Sequence, residues 1–318
     1  AGCVAQALTF LHKATDDQQT LYDRYRQEGL VRARQRPSET TMRKHVFHPD
    51  QDPYLTGILG LVAQPLAAWR AKELPPTIKA ESRTDITLDP SAFAQIAKYV
   101  KDVINVGAPD VYLRPKEPGD VTIINVKRDG AVHPSMVVYS NILRGKKEHH
   151  LVFALAKNMM ELYPPHYAYV AVGRSARLLE QALMACMWAC GAQVQADLGA
   201  LEPIAHELRA RMSARQVEAL MSLVQTFAQA GRPADVDIGR WVRAVELSAQ
   251  RVGMLICGDL EAAAASAARD PGPPGSSLEP RERLEDLVAY SISDSYFEAR
   301  RELGVGLTLP LVSGPASG

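Results

Sequence analysis

The chain has 318 residues, and its 36 basic and 36 acidic side chains give a formal net charge of zero. This balance gives no sign of the basic surface that binds nucleic acid or an acidic membrane, so we expect neither partner. No apolar run reaches the ~20 residues that span a bilayer, and we expect a cytoplasmic protein. Apolar residues make up 47% of the sequence and aromatic residues only 6%. Ala, Leu and Val must therefore fill the core, which favours packed helices.

The first part of the chain is predicted to be helical. Two amphipathic patterns lie within residues 1–33, and such a helix pair resembles the end of a helical-repeat array. No initiator Met precedes the pair, so we expect a piece of a longer protein, such as the C-terminal part of a helical-repeat protein. Residues 34–52 are polar and predict a linker. An apolar helix over residues 54–69 follows, with Pro65 expected to kink or end it.

A small sheet is predicted in the middle of the chain. After the helix cap Asp89-Pro90-Ser91, a helix is expected over residues 92–106. Three strands follow, over residues 111–113, 121–126 and 136–139. The predicted fold is therefore α+β and mainly helical, with a small β-sheet packed on a helical core. We expect an N-terminal helical segment and linker over residues 1–84, a main domain over 85–267, and a C-terminal part over 268–318.

The rest of the chain is predicted to be almost wholly helical. Helices are expected over residues 148–162, 165–173, 175–191, 197–211, 214–230 and 234–267, with a last helical pair over 279–302. Between the last two, residues 270–277 are rich in Pro, Gly and Ser, which predicts an exposed, flexible loop. The tail, residues 314–318, is expected to be disordered.

Several chemistries have no support in the sequence. The four cysteines, Cys3, Cys186, Cys190 and Cys257, form no Cys-x-x-Cys pair, and we expect buried thiols. There is no Gly-x-Ser-x-Gly motif, phosphate-binding Gly-rich loop or dinucleotide fingerprint. We therefore expect no cofactor.

The predicted helix over residues 148–162 carries the most informative pattern. It follows the strand at residues 136–139, and its apolar residues recur three and four apart, which indicates a largely buried helix. In this position the gluzincin zinc metallopeptidases, relatives of the CAAX and heat-shock membrane proteases, carry His-Glu-x-x-His. Here the five positions are Lys157-Asn158-Met159-Met160-Glu161. The family's later helix has Glu-x-x-Ala-Asp-x-x-Gly, and residues 246–253 match it except at Gln250. Over about residues 85–265, the chain resembles a degenerate gluzincin domain.

The resemblance implies that the zinc chemistry has been lost. Lys157 would replace the first zinc-binding His, Asn158 the general-base Glu, and Glu161 the second His. Glu246 would keep the third ligand, and Gln250 would replace an Asp that orients an imidazole. Lysine only donates hydrogen bonds and asparagine cannot take a proton from water, so these positions should bind no catalytic metal. We expect the Lys157 ammonium to replace the charge of the metal and to lie within about 4 Å of Glu246 or Glu161. The alternative is that Lys157 and Glu161, four residues apart, form only an ordinary pair on the helix surface.

Three functions remain open at this stage. The first is a non-catalytic pseudo-peptidase, a pseudoenzyme that acts as a protein-interaction or scaffolding module. Its peptide partner would pair with an edge strand formed by Met136, Val137, Val138 and Tyr139. The second is a metal-dependent peptidase with unusual ligands, drawn from His150, Glu161, His166 and Glu246. The third is a purely structural cap of a helical-repeat protein, in which a loop or helix fills the groove beside residues 136–139.

Overall fold

The computed structural model describes residues 2–25, 29–144, 147–230, 237–270, 272–273 and 276–305. The fold is α+β and mainly helical with one small sheet, as the sequence predicts. One continuous cluster of buried apolar side chains extends from Ala7 to Val305, so helices from most of the described chain share a core. The domain boundaries at residues 84 and 267 stay predictions. Among the described residues, no helix has both the length and the apolar character needed to cross a bilayer.

Helices and short turns precede the sheet. The elements are α1 (Gly2–Phe10), α2 (Asp16–Tyr25), α3 (Glu39–Thr41), a π-helical turn (Met42–Val46), α4 (Pro53–Arg70), a 3-10 turn (Ala80–Ser82), β1 (Arg83–Thr84), α5 (Ala92–Ile104), β2 (Asp110–Arg114), β3 (Val121–Arg128), β4 (Ala131–Tyr139) and α6 (Ser140–Leu143). Asp52 caps α4 by accepting a hydrogen bond of 2.8 Å from the Tyr54 N–H. The helix does not end at Pro65, because its buried apolar face outweighs the one backbone hydrogen bond that proline removes.

The sheet order is β1-β2-β4-β3, which places β4 in the interior. Met136, Val137 and Val138 pair with β2 in parallel and with β3 in antiparallel register, and Tyr139 pairs with β2. The prediction that these residues form an edge strand is therefore wrong. Met136 and Val138 pack into the main core, while Val137 packs on the other face with Tyr112. A strand buried on both faces needs apolar side chains at every position rather than alternation, and this run has them.

After the sheet the chain is helical. The elements are α7 (Glu148–Met159), a 3-10 turn (Met160–Leu162), α8 (Pro164–Ala171), α9 (Ala176–Ala189), α10 (Leu198–Arg209), α11 (Ala214–Gln229), α12 (Ile238–Cys257), α13 (Leu260–Arg269), α14 (Pro280–Ser291) and α15 (Asp294–Glu302). The single helix predicted over residues 234–267 is two helices. Gly258 ends α12 with a φ of +66°, and the Asp259 side chain caps α13. The predicted disordered tail lies outside the described residues.

Close packing of α7 against α12 sets the position of the candidate site. The helices are in close contact at Gly253, where a Cβ atom would lie 2.8 Å from Cδ2 of Phe153. Glycine has no Cβ atom, so Gly253 allows α12 to pack against Phe153 of α7 without this clash. Helix α13 folds back against α7, and the connection from α13 to α14 then passes beside both helices.

Candidate functional site

Four of the five residues predicted for the candidate site line one small cavity between α7 and α12. These are Lys157, Glu161, Glu246 and Gln250. The fifth, Asn158, lines a separate opening on another side of α7. The helices that the two motifs predict are therefore adjacent in space, and their polar residues converge. We keep the name candidate site for these five residues and the name cavity for the space that four of them share.

Lys157 forms an ion pair with Asp270, the residue that follows α13. Among the described residues, its ammonium has no carboxylate partner within 4 Å other than Asp270, so the predicted pairing with Glu246 or Glu161 is wrong. Both side chains are mostly buried, with 15% and 14% of their surface exposed. Gln250 Nε2 also donates to Asp270 Oδ2, over 3.2 Å. The predicted flexible loop is thus anchored at its first residue.

The environment of Asp270 keeps it ionised. Burial alone would raise the pKa of its carboxyl group. The neighbouring Lys157 ammonium and the hydrogen bonds from Lys157 and the Gly272 N–H outweigh that effect, and the pKa lies below its ordinary value. Asp270 therefore acts as a carboxylate counter-charge for Lys157 at neutral pH.

Glu246 contacts Ser276, which lies beyond Asp270 in the connection to α14, and Arg283 in α14 itself. Its Oε2 accepts a hydrogen bond of 2.6 Å from Ser276 Oγ and lies 3.9 Å from Nη2 of Arg283. Arg283, which is only 1% exposed, also donates to Ser276 Oγ and to the Asp270 carbonyl oxygen, over 3.0 and 2.7 Å. Burial raises the pKa of Glu246, and the bond from Ser276 and the charges of Arg283 and Lys157 only partly offset it.

Glu161 is paired with Arg174, and this pair reaches the sheet. The Arg174 guanidinium donates both to the Glu161 carboxylate and to the carbonyl oxygen of Ile123 in β3, the latter over 3.2 Å. Further along the same strand, the Lys72 N–H donates to the Asn125 carbonyl oxygen over 3.3 Å. The outward edge of β3, the strand beside α7, is therefore partly covered by the chain itself.

Of the alternative metal ligands, Glu161, His166 and Glu246 line the cavity, but His150 does not. His150 Nδ1 lies 3.2 Å from Ser266 Oγ and lines the other opening rather than the cavity. His166 is fully buried beside Gln51, and burial lowers its pKa to about 3, so it is neutral at pH 7. Within the part of the chain that the structure describes, no three His, Cys, Asp or Glu side chains are placed to hold a metal ion.

The groups in the cavity do not fit a catalytic zinc site. Zinc needs lone pairs from imidazole, thiolate or carboxylate groups, with one open position for water. Lys157 offers no lone pair while it is an ammonium, and Arg174 engages the carboxylate of Glu161. Asn158 uses its Nδ2 to donate to the Ala154 carbonyl oxygen over 2.8 Å, and an amide cannot act as a general base. Two buried oxygens in the cavity, Glu246 Oε1 and Gln250 Oε1, have no hydrogen-bond partner among the described residues, and these two do not make up a zinc-binding set.

Four residues of the network were not predicted from the sequence, namely Arg174, Asp270, Ser276 and Arg283. Asp270 and Ser276 lie in a stretch whose Pro and Gly content predicts only a loop. Arg283 lies on the buried side of α14, and the sequence does not reveal which arginine of a charged helix turns inward.

Comparisons with protein-family models, with curated proteins and with solved structures found no match for this chain. The relationship to the gluzincins therefore stays an expectation from the two motifs. Any inference about function has to come from the residues and their geometry.

Proposed function

We propose that this chain is a non-catalytic pseudo-peptidase domain that serves as a scaffold for protein interactions. One observation carries the proposal. Where a gluzincin would need metal ligands, the side chains of this protein are tied to one another, as Lys157 with Asp270, Glu161 with Arg174, and Glu246 with Ser276.

The pairing makes hydrolysis unfavourable on energetic grounds. To ligate a metal, Glu161 would have to leave Arg174, and Lys157 would have to lose both its proton and its partner. Removing one partner of a buried ion pair typically costs about 3–5 kcal/mol, and these pairs retain some exposure, so the lower end applies. With Asn158 at the position of the base, the carboxylate that would activate the zinc-bound water of a gluzincin is absent.

Partner binding by strand addition is also disfavoured. Strand β4 is paired on both sides, and the outward edge of β3 is partly occupied by Arg174 and Lys72. The opposite edge strand, β1, has only two residues, so a partner would contact side chains on the helices rather than extend the sheet. The same covered edge favours the alternative of a purely structural domain with no peptide groove.

The catalytic question is tested by measuring metal content and hydrolysis together. The purified chain is equilibrated with zinc, dialysed, and analysed for bound metal, and it is then incubated with an unfolded protein substrate. We expect far less than one zinc per chain, no cleavage, and no change in Glu246→Ala. One zinc per chain that is lost in Glu246→Ala together with cleavage would overturn the proposal.

The scaffold and the purely structural domain are separated by cross-linking. Cross-linking mass spectrometry on cells that produce the chain should give links from its helical surface to the same partner protein in repeated experiments. Links only within the chain itself would favour the structural alternative.

A further inference from the structure

A larger opening lies on another side of α7, and we call it the cleft. It is bounded by α7, by α13, and by α6 together with the connection that precedes β3. Its volume of about 520 Å³ is within the range of small-molecule sites, which is roughly 300–1,000 Å³. The cleft shares Lys157 with the cavity but is otherwise a separate space.

Basic side chains from two helices face this space. Lys147, His150 and Lys157 are spaced by three and seven residues, which places them along one stripe of α7. Arg269, in the last turn of α13, also lines the cleft. Lys147 and Arg269 are exposed, and neither forms an ion pair with another described residue.

The two acidic residues of the cleft do not cancel these charges. Asp270 is already paired with Lys157. Asp120 is the other carboxylate, so Lys147 and Arg269 leave a formal surplus of one positive charge. Lys147 and Arg269 could therefore bind an incoming anion without first breaking an ion pair with another described residue.

The walls of the cleft are held in place at two points. His150 Nδ1 lies 3.2 Å from Ser266 Oγ, and Lys157 is paired with Asp270. Both links join α7 to the end of α13, and Arg269 lies between Ser266 and Asp270 in the sequence. A site whose walls are fixed before binding loses less entropy when the ligand arrives.

We propose that the cleft binds a small organic or inorganic anion through its carboxylate or phosphate group, with Lys147 and Arg269 as the main contacts. Arginine binds such groups through two parallel hydrogen bonds, and lysine adds a point charge. Asp120 limits the charge of the ligand, because its carboxylate would repel a second acid group on the same molecule. The proposal does not depend on the proposed pseudo-peptidase function.

Calorimetric titration of the full chain with inorganic phosphate and, separately, with propionate, which has a single carboxylate, tests the proposal. Ionic strength is kept constant with chloride. We expect saturable binding of at least one probe, and the stronger one identifies the acid group that the cleft prefers. Lys147→Gln and Arg269→Gln should each weaken that binding at least about tenfold, because each removes a charge-assisted hydrogen bond.

The matched control is Arg215→Gln, which removes one positive charge from an exposed position of α11. It should leave the affinity within about twofold of the wild type. No saturable binding of either probe would overturn the proposal. So would cleft variants that keep the wild-type affinity, or a control that loses as much as they do. None of these outcomes bears on zinc binding or hydrolysis, so the two proposals fail separately.

Discussion

Helix α7 presents charged residues to two different environments. The buried charged groups beside α12 are paired with one another, as Glu161 with Arg174 in the cavity, and Lys157, which lines both spaces, with Asp270 in the wall of the cleft. On the side of the cleft, Lys147 and Arg269 are exposed and form no ion pair with a described residue.

The contrast is between charged groups that are engaged within the fold and charged groups that an incoming ion could contact. A buried charge that has a partner contributes to stability but cannot exchange that partner cheaply. An exposed charge contributes little to stability and can bind an incoming ion. We therefore expect substitutions in the cavity to change stability and substitutions in the cleft to change binding.

The largest effect is expected at the contact that holds α7 and α12 together. Gly253→Val would place a branched side chain where Phe153 already lies within 3 Å of a Cβ position. We expect a loss of about 3 kcal/mol in the free energy of unfolding, measured with urea. Gly107→Val, at an open position, is the control and should change little. Equal losses in both variants would show that the two helices are not closely packed.

The next effect is expected at the loop that closes the cavity. Asp270→Asn leaves the Lys157 ammonium without its counter-charge, and we expect a loss of about 2 kcal/mol at pH 7. Because the pKa of Asp270 is lowered in the folded state, its contribution is complete above the unfolded pKa of about 3.9. That contribution is lost as the pH falls through the folded pKa.

The pH dependence is the diagnostic feature of this variant. The difference in unfolding free energy between wild type and Asp270→Asn should be constant near neutral pH and should close below about pH 4. Asp102→Asn removes a more exposed carboxylate with a neighbouring lysine and should have little effect at any pH. A difference for Asp270→Asn that does not change with pH would contradict the ion pair with Lys157.

A smaller effect of opposite sign is expected at Glu246. Its pKa is raised by burial, so its ionisation costs stability as the pH rises from the unfolded pKa through the folded one. Glu246→Gln avoids this cost and can still accept the hydrogen bond from Ser276. We expect it to be about 1 kcal/mol more stable than the wild type at pH 7, and equally stable near pH 4. A loss of stability at pH 7 would show that the Arg283 charge outweighs burial.

The smallest effect is expected in the cleft. Arg269→Gln removes an exposed charge that has no ion-pair partner among the described residues, and its unfolding free energy should stay within about 0.5 kcal/mol of the wild type. A loss above about 1.5 kcal/mol would mean that Arg269 supports the fold, and the contrast between the two sides of α7 would disappear.

Much of the helical framework could be predicted from the sequence, because apolar periodicity and caps are local signals. The break between α12 and α13 was missed although Gly258 and Asp259 together form a C-cap and an N-cap. The interior position of β4 was missed because strand order depends on how β3 folds back, which local patterns do not specify. Its uninterrupted apolar run was the available signal.

At the candidate site, the convergence of Lys157, Glu161, Glu246 and Gln250 was predicted from two motifs and their order. The residues that form ion pairs and hydrogen bonds with them were not predicted. Asp270 reaches Lys157 across 113 positions of sequence, and such a contact depends on the path of a loop that has no pattern of its own. The cleft was missed for the same reason, since Lys147 and Arg269 line one space only after α13 folds back against α7.

Zinc titration of a reconstructed site tests the central claim most directly, namely that the candidate site has the frame of a zinc peptidase without its ligands. The variant combines Lys157→His, Asn158→Glu and Glu161→His and leaves Glu246 in place, with circular dichroism as the check on folding. We predict one tightly bound zinc per chain in the variant and no tight zinc in the wild type. A folded variant that binds no zinc, or a wild type that binds one, would contradict the claim.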